Sequence, residues 1–161
     1  MLDSHFSSSY IRQATPQEAS TLSTLAFRSK QFWGYSSEFM EASRPDLTVG
    51  SEFIATNPVF LLEDADTIIG FYSLYDKGNK TVELEHFFVA PEKVGQGYGQ
   101  KLWQHALATA RSAGFHKVMI AADPNAEGFY RKMGALRVGE VPSIVAKVLP
   151  GRVLPLLEVT L

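Results

Sequence analysis

Three glycines alternate with other residues at Gly95, Gly97 and Gly99, between a strand-like segment and a strongly amphipathic helix pattern. Glycine lets a backbone approach a ligand closely, and successive amides at the start of a helix attract an anion. The helix pattern ends near Gly114, and its apolar residues recur with helical spacing at Leu102, Trp103, Ala106, Leu107 and Ala110. The loop therefore predicts a ligand that carries phosphate. A turn that only caps the helix is the alternative.

Two common phosphate-binding motifs do not fit this loop. A P-loop ends in Gly-Lys followed by Ser or Thr, whereas Gly99 is followed by Gln100. The dinucleotide motif GxGxxG fails at Gln100 when it is counted from Gly95, and at Leu102 when it is counted from Gly97. The pattern therefore disfavours both a nucleoside triphosphate and a nicotinamide dinucleotide as the ligand.

Composition excludes several classes of protein. A chain of 161 residues that is 45% hydrophobic and 20% charged is typical of one soluble folded domain, here residues 1–161. Fifteen Lys and Arg against seventeen Asp and Glu give a net charge of −2, which provides no basic field for nucleic acid. The absence of cysteine excludes disulfides, thiolate zinc sites and a cysteine nucleophile.

The sequence also predicts where in the cell the protein is found. The first ten residues show no secretory signal, and apolar runs such as residues 59–62 are too short to span a bilayer. We therefore expect a cytoplasmic protein without a membrane segment, and we leave both a monomer and a homodimer open.

The pattern of apolar residues predicts a mixed α/β domain. A short strand at residues 10–12 precedes a helix that starts at Thr15-Pro16, and a second helix starts at Ser36 or Ser37 and stops before Pro45. Three strands joined as hairpins follow at residues 59–63, 68–75 and 81–89. After the long helix we expect a strand at residues 117–121, a helix at 125–133, and strands at 135–139 and 154–159.

Two stretches of this sequence resemble a known family. Residues 87–92 (FFVAPE) followed by residues 95–102 (GQGYGQKL) are similar to the acetyl-CoA signature of the Gcn5-related N-acetyltransferases (GNAT). Asn125 followed by residues 129–135 (FYRKMGA) resembles the second signature of that family, and Val94 stands where the family has Arg or Gln. The resemblance covers roughly residues 11–139. It implies a single α+β domain with a mixed, mostly antiparallel sheet flanked by helices and splayed at the acetyl-CoA site.

The resemblance also implies where acetyl-CoA binds. The end of the strand at Phe87, Phe88 and Val89 is expected to part from its neighbour and to hold the pantetheine arm and the thioester through backbone groups. Amides of residues 94–99 are expected to hold the diphosphate. The other residues implied for acetyl-CoA are Val94, Gly95, Gln96, Gly97, Tyr98, Gly99, Asn125, Phe129 and Tyr130.

Candidate catalytic groups lie on the strand and on the short helix. Glu83 and Glu85 are two residues apart, so strand alternation places both carboxylates on one face, toward the sheet opening. Two like charges this close can raise the pKa of one of them, and either is a candidate base. Alternation places His86 on the opposite face, as a packed core residue. By resemblance, Tyr130 is the general acid that protonates the departing thiolate, since a phenol stays protonated at neutral pH.

The sequence gives less information about the acceptor, the molecule that would receive the acetyl group. Phe32, Trp33 and Tyr35 fall where the family covers its acceptor groove, although with Phe39 they equally fit a core cluster, which we favour. The histidines have no spacing typical of metal ligands, so we predict no metal site. We expect acetyl transfer to a small amine or an amino terminus, with polyamines and histone tails left open.

Two other functions stay open at this stage. A non-catalytic sensor or regulatory module would bind acyl-CoA without releasing its thiol, and the Val94 departure favours this alternative. A structural or interaction domain with a helix-capping glycine loop would bind no CoA.

Overall fold

The computed structural model describes residues 8–161 of the chain. We predicted no secretory signal in the first ten residues, and residues 1–7 of that segment lie outside the part of the chain that the structure describes. Among residues 8–161, no helix is both long and apolar enough to cross a membrane. The seven strands within these described residues are β1 (Ser9–Gln13), β2 (Val59–Asp64), β3 (Thr67–Gly78), β4 (Thr81–Val89), β5 (Lys117–Ala121), β6 (Leu136–Pro142) and β7 (Val153–Thr160).

These strands form one sheet in the order β1-β2-β3-β4-β5-β7-β6. Every neighbouring pair is antiparallel except β4 and β5, which are parallel. The predicted hairpins at β2, β3 and β4 are therefore confirmed, as is a mixed, mostly antiparallel sheet.

In the described part of the chain, five α-helices flank the sheet: α1 (Ala19–Gln31), α2 (Ser37–Leu47), α3 (Ser51–Thr56), α4 (Tyr98–Ser112) and α5 (Glu127–Lys132). Short 3-10 turns precede α1 and α5 at Pro16–Glu18 and Pro124–Ala126, and a third lies between β4 and the glycine loop at Pro91–Lys93. Ser36 caps α2 as predicted, because its side chain accepts a hydrogen bond from the Phe39 amide.

The predicted stop before Pro45 is wrong, and α3 was not predicted. Helix α2 continues through Pro45 to Leu47, although proline donates no backbone hydrogen bond. Leu47 at the end of α2 and Ile54 in α3 are each only 3% exposed in the core, so burial outweighs the local preference.

The two faces of the sheet carry separate apolar clusters because successive strand residues point to opposite sides. Leu61 and Phe71 pack with α1, α2 and α3 on one face. Leu62 and Tyr72 pack with α4 and Tyr130 on the other face. Helices therefore cover both sides of the sheet.

Candidate active site

The sheet opens between β4 and β5. Residues 81–83 pair with residues 117–119, and the two strands pair no further within the described chain. We predicted the separation near residues 87–89; it begins directly after Glu83. The opening contains a cavity of about 500 Å³. Its lining includes these predicted residues: Phe32, Trp33, Glu85, Phe87, Phe88, Val89, Val94, Gly95, Gly97, Gly99, Asn125, Phe129 and Tyr130.

The glycine loop forms one end of this cavity. Gly95 and Gly97 have φ angles of 84° and 89°, in the left-handed region that glycine adopts without steric cost. Gly97 caps the N-terminus of α4, so the first amides of a 15-residue helix point outward beside the cavity. A Cβ atom at Gly99 would lie 3.2 Å from the Phe129 ring, which explains why the third glycine has no side chain.

Two predicted loop residues contribute only their backbone here. The Tyr98 side chain is 1% exposed in the core, and its hydroxyl donates a hydrogen bond to Asp64. The Gln96 side chain donates to the Glu92 carbonyl. The loop therefore offers amides rather than side chains to an anion.

Tyr130 lies in an aromatic cluster at the centre of the opening. Its ring centroid is 5.9 Å from that of Phe87, 5.7 Å from that of Trp103 and 5.4 Å from that of Phe129. The side chain is 6% exposed, and burial together with the negative charge of Asp123 raises the pKa of its hydroxyl. Tyr130 is therefore a protonated donor at the wall of the cavity.

A β-bulge in β4 sets the position of the acidic pair. Leu84 pairs with Leu74 and His86 pairs with Ser73, so Glu85 between them has no partner on β3. Glu85 lines the cavity together with Asp46. A hydrogen bond shared with Glu83, partial burial, and the negative charges of Glu83 and Asp46 raise the pKa of Glu85. The bulge thus places one carboxyl with a raised pKa at the cavity.

The prediction that His86 lies on the face opposite Glu83 is wrong. Glu83 pairs with Tyr75, which stacks on Phe53, and the His86 ring also packs against Phe53. The extra residue in the bulge shifts the alternation, so both side chains lie on the face covered by α3. His86 is nevertheless a core residue as predicted. It hydrogen bonds to Ser73, and burial lowers its pKa to about 4.

The aromatic residues near the end of α1 have different environments. Phe32 and Trp33 line the cavity and are 61% and 47% exposed, so the favoured interpretation of them as core residues is wrong. Phe39 is buried, and Tyr35 stacks on it at 4.0 Å between ring centroids. Helix α1 ends on the rim of the opening, which leaves Phe32 and Trp33 free to contact a ligand.

Asp123, directly after β5, is the centre of a polar cluster that the sequence analysis missed. It accepts hydrogen bonds from Lys30, Tyr35, Asn125 and Arg152. Asp123-Pro124 is a recognisable helix start, so a cap at this position was predictable. Lys30 and Arg152 come from distant segments, and no local pattern links them to Asp123.

Helix α1 crosses the opening on one face of the sheet. Ser29 donates a hydrogen bond of 2.8 Å to the Val89 carbonyl at the end of β4. Lys30 forms a 3.1 Å ion pair with Asp123 after β5. The end of α1 therefore joins the two separated strands and forms a wall of the cavity. Among residues 8–161, no cluster of three or more acidic or histidine side chains suits a metal ion.

Known proteins share this architecture. The PaiA N-acetyltransferase from Thermoplasma acidophilum, solved in complex with coenzyme A, superposes with a TM-score of 0.79 at 19% identity, over 96% of this chain and 99% of that one. The YncA protein of Salmonella typhimurium, described as a putative acetyltransferase with its cofactor acetyl-CoA, superposes with a TM-score of 0.66 at 19% identity, over 94% and 93% of the two chains.

The sequence also matches known proteins directly. The 5-NmdU N-acetyltransferase of Pseudomonas phage PaMx11 is 28% identical over 131 residues, which span 81% of this chain and 89% of the phage protein. Residues 22–135 match the profile of the Acetyltransferase (GNAT) family, and this region contains the glycine loop, the acidic pair and Tyr130. The chain therefore belongs to the GNAT acetyltransferase family.

Proposed function

We propose that this protein transfers an acetyl group from acetyl-CoA directly to the amine of a small molecule or to an amino terminus. One observation carries the proposal: an anion-binding loop, a carboxyl with a raised pKa and a protonated tyrosine all line one cavity between two parted strands. Each matches one requirement of the reaction, namely holding the donor, deprotonating the amine and protonating the departing sulfur.

The glycine loop is suited to the diphosphate of the donor. Outward-pointing amides at the start of α4 attract negative charge, and the glycines let the phosphates approach the backbone. Val94 is 59% exposed in this loop where the family has Arg or Gln. Since the backbone amides do not depend on that side chain, we expect binding to persist. The unpaired edges of β4 and β5 are available to the pantetheine arm.

The acidic pair is suited to accept a proton from the amine. Glu85 lines the cavity, and Glu83 adjoins it and raises its pKa toward the range in which a general base works best near neutral pH. In the proposed step, the neutral amine nitrogen bonds to the acetyl carbon as one of its protons passes to Glu85, directly or through a water molecule. The carbonyl electron pair moves to oxygen and returns when the carbon–sulfur bond breaks.

Tyr130 is suited to complete the reaction. As the carbon–sulfur bond of the thioester breaks, the electron pair goes to sulfur, and the buried hydroxyl donates its proton to the thiolate. Because the pKa of Tyr130 is raised, the proton is present at neutral pH before the reaction begins. Water or the proton held by Glu85 then restores the phenol.

The acceptor side of the cavity is bordered by Phe32 and Trp33. The name of the phage relative gives 5-NmdU as its acceptor, which makes 5-NmdU one candidate acceptor for this chain. Exposed aromatic rings stack on planar groups, so either ring is suited to pack against a planar part of an acceptor.

Release of free CoA thiol tests the proposal. Purified protein is incubated with acetyl-CoA and a panel of amino acids, polyamines, aminoglycosides, amine-bearing nucleosides and peptides. An enzyme releases thiol with at least one acceptor, whereas an acyl-CoA sensor binds acetyl-CoA in calorimetry and releases none.

The Tyr130→Phe variant, assayed with the best acceptor, tests the role of the Tyr130 hydroxyl. The ring still packs, so acetyl-CoA affinity should be unchanged, while kcat should fall about 10- to 100-fold because acid catalysis of a thiolate departure is modest. A wild-type kcat in the variant would remove Tyr130 from the chemistry, provided that no burst of CoA in the first turnover shows product release to be limiting.

A further inference from the structure

The cluster around Asp123 has more positive than negative charge. Lys30 and Arg152 both form ion pairs with this single carboxylate. The three side chains are only 14%, 5% and 15% exposed for Lys30, Arg152 and Asp123, so water screens their charges poorly. Lys30 and Asp123 line the cavity, and Arg152, which does not line it, donates a hydrogen bond to Asp123. One uncompensated positive charge therefore borders the cavity.

Asp123 cannot accept any further hydrogen bond. Its two oxygens already receive five donors: Lys30 Nζ, the Tyr35 hydroxyl, the Asn125 amide, Asn125 Nδ2 and Arg152 Nη2. A carboxylate offers about four lone-pair sites, so these donors saturate it. Arg152 Nε is accordingly buried without a partner, and among the described residues it is the one buried side-chain polar atom in that state. A buried unpartnered donor is costly, which marks this position for explanation.

Aromatic rings explain part of the arrangement. The Lys30 ammonium lies 5.6 Å from the centroids of both Tyr35 and Phe39, and the Arg152 guanidinium lies 5.3 Å and 4.9 Å from the same rings. Ring faces attract cations and offset some of the excess charge. They supply no second anion, so the cluster keeps one excess positive charge.

We infer that the acceptor carries a carboxylate in addition to its amine, and that Lys30 binds this carboxylate at the cavity wall while the buried charge of Arg152 strengthens the attraction. The inference rests on the proposed acetyl transfer. Planar carboxylates suit guanidinium and ammonium donors. Asp46 and Glu85 line the same cavity and would repel a carboxylate while attracting an ammonium group. Together these opposite charges favour an amino acid, with its amine toward Glu85 and its carboxylate toward Lys30.

Binding of matched ligands to the CoA-loaded protein tests the inference without requiring turnover. The pairs are alanine and ethylamine, leucine and isopentylamine, phenylalanine and 2-phenylethylamine, and lysine and cadaverine, each differing by one carboxylate. Trp33 lines the cavity and its fluorescence reports binding, since the other tryptophan, Trp103, is buried. We expect the carboxylated member of at least one pair to bind about 10-fold or more tightly. A preference below about threefold in every pair would overturn the inference.

Two variants test which residues cause the preference for a ligand with a carboxylate. Lys30→Gln should weaken the carboxylated member about 10-fold and leave the partner that lacks the carboxylate within about threefold. Arg152→Gln removes the excess charge behind the cavity wall and should weaken the same ligand, so the result does not depend on one variant alone. Arg28→Gln is the control, because Arg28 lies on the same helix, is 47% exposed and pairs with Glu92 away from the cavity. Equal losses in Lys30→Gln and Arg28→Gln, or equal losses for both members of a pair, would contradict the assignment.

These measurements separate the inference from the proposed function. A carboxylate preference in binding without thiol release would remove the proposed catalysis and keep the carboxylate site. Thiol release from amines that lack a carboxylate, without any carboxylate preference, would keep the catalysis and remove the site. A rise in the KM for acetyl-CoA in Lys30→Gln, with acceptor selectivity unchanged, would assign Lys30 to the donor and overturn the inference.

Discussion

Glu85 has no partner on β3, and this single irregularity distinguishes it from Glu83, which pairs with Tyr75. A residue in a β-bulge is not paired with the neighbouring strand, and its side chain commonly points in a new direction. This accounts for the position of Glu85 at the cavity. Glu83 remains in the ladder and adjoins the cavity residue. We therefore assign different parts to the two carboxyls in the proposed reaction: Glu85 holds the proton, and Glu83 tunes its pKa.

The pH profile of kcat/KM tests this division. A base works when it is deprotonated, so the raised pKa of Glu85 should make activity rise with pH above the ordinary carboxylate range. Glu83→Gln removes a negative charge, so the pKa of Glu85 should fall and the rising limb should move to lower pH. Glu85→Gln should lower kcat about 100-fold or more at neutral pH. Glu140→Gln on β6 is the control. If the rising limb of the pH profile stays at the same pH in Glu83→Gln, the different roles assigned to Glu83 and Glu85 are contradicted.

Residue spacing predicted this site only in part. Two carboxyls separated by one residue on a strand were expected to interact, and the raised pKa of Glu85 reflects that interaction. Strict alternation then placed His86 on the wrong face, because the bulge depends on how β4 pairs with β3. The register of a neighbouring strand is a tertiary property, and residues 83–86 alone do not contain it.

Among the elements, helix α4 and its glycine loop were the most predictable. The helix pattern, the glycine before it and Gly114 after it are all local signals, and α4 spans Tyr98–Ser112 as its apolar residues indicate. Helix α3 and the end of α2 were less predictable, because their stability comes from buried contacts of Leu47 and Ile54 rather than from capping signals.

Gly97→Glu tests the role of the loop in binding acetyl-CoA. The change adds a side chain and a negative charge where the diphosphate is proposed to lie, so affinity should fall roughly 100-fold or more. Gly114→Glu is a matched control, since both glycines have a φ angle of 89° and both flank α4. The two variants should lose similar stability from backbone strain, but only Gly97→Glu should lose acetyl-CoA affinity in calorimetry. Equal affinity in the two variants would contradict the placement.

At the scale of the whole molecule, the cavity depends on contacts between distant segments. Ser29 and Val89 are 60 residues apart, and Lys30 and Asp123 are 93 residues apart, yet both contacts hold α1 across the opening. The family motifs predicted the splayed sheet, because they identify a known architecture. The cationic cluster was not predictable, because pairings at such separations leave no local pattern and the motifs do not include Lys30 or Arg152.

A second long-range cluster links the edge of the sheet to the start of α1. Arg12 on β1 forms ion pairs of 2.7 Å with Glu18, in the turn before α1, and of 2.8 Å with Glu63 on β2. The hydrogen bond from Arg12 lowers the pKa of Glu18 from 4.5 to about 2. Hydrogen bonds from Tyr10 and Arg12 also lower the pKa of Glu63. Both carboxylates are therefore more stable in the folded chain than in the unfolded chain.

Acid unfolding of Glu18→Gln tests this contribution to stability. A carboxyl whose folded pKa is lowered stabilises the fold above its unfolded pKa, and that stabilisation disappears as pH falls from 4.5 toward about 2. In urea titrations at neutral pH, Glu18→Gln should lower the free energy of unfolding by about 1 kcal/mol, since water screens this partly exposed pair. The difference from the wild type should shrink near pH 3. Glu41→Gln removes an exposed pair within α2 and should change stability less. A difference for Glu18→Gln that stays constant between neutral pH and about pH 3 would show that its ion pair with Arg12 does not stabilise the fold.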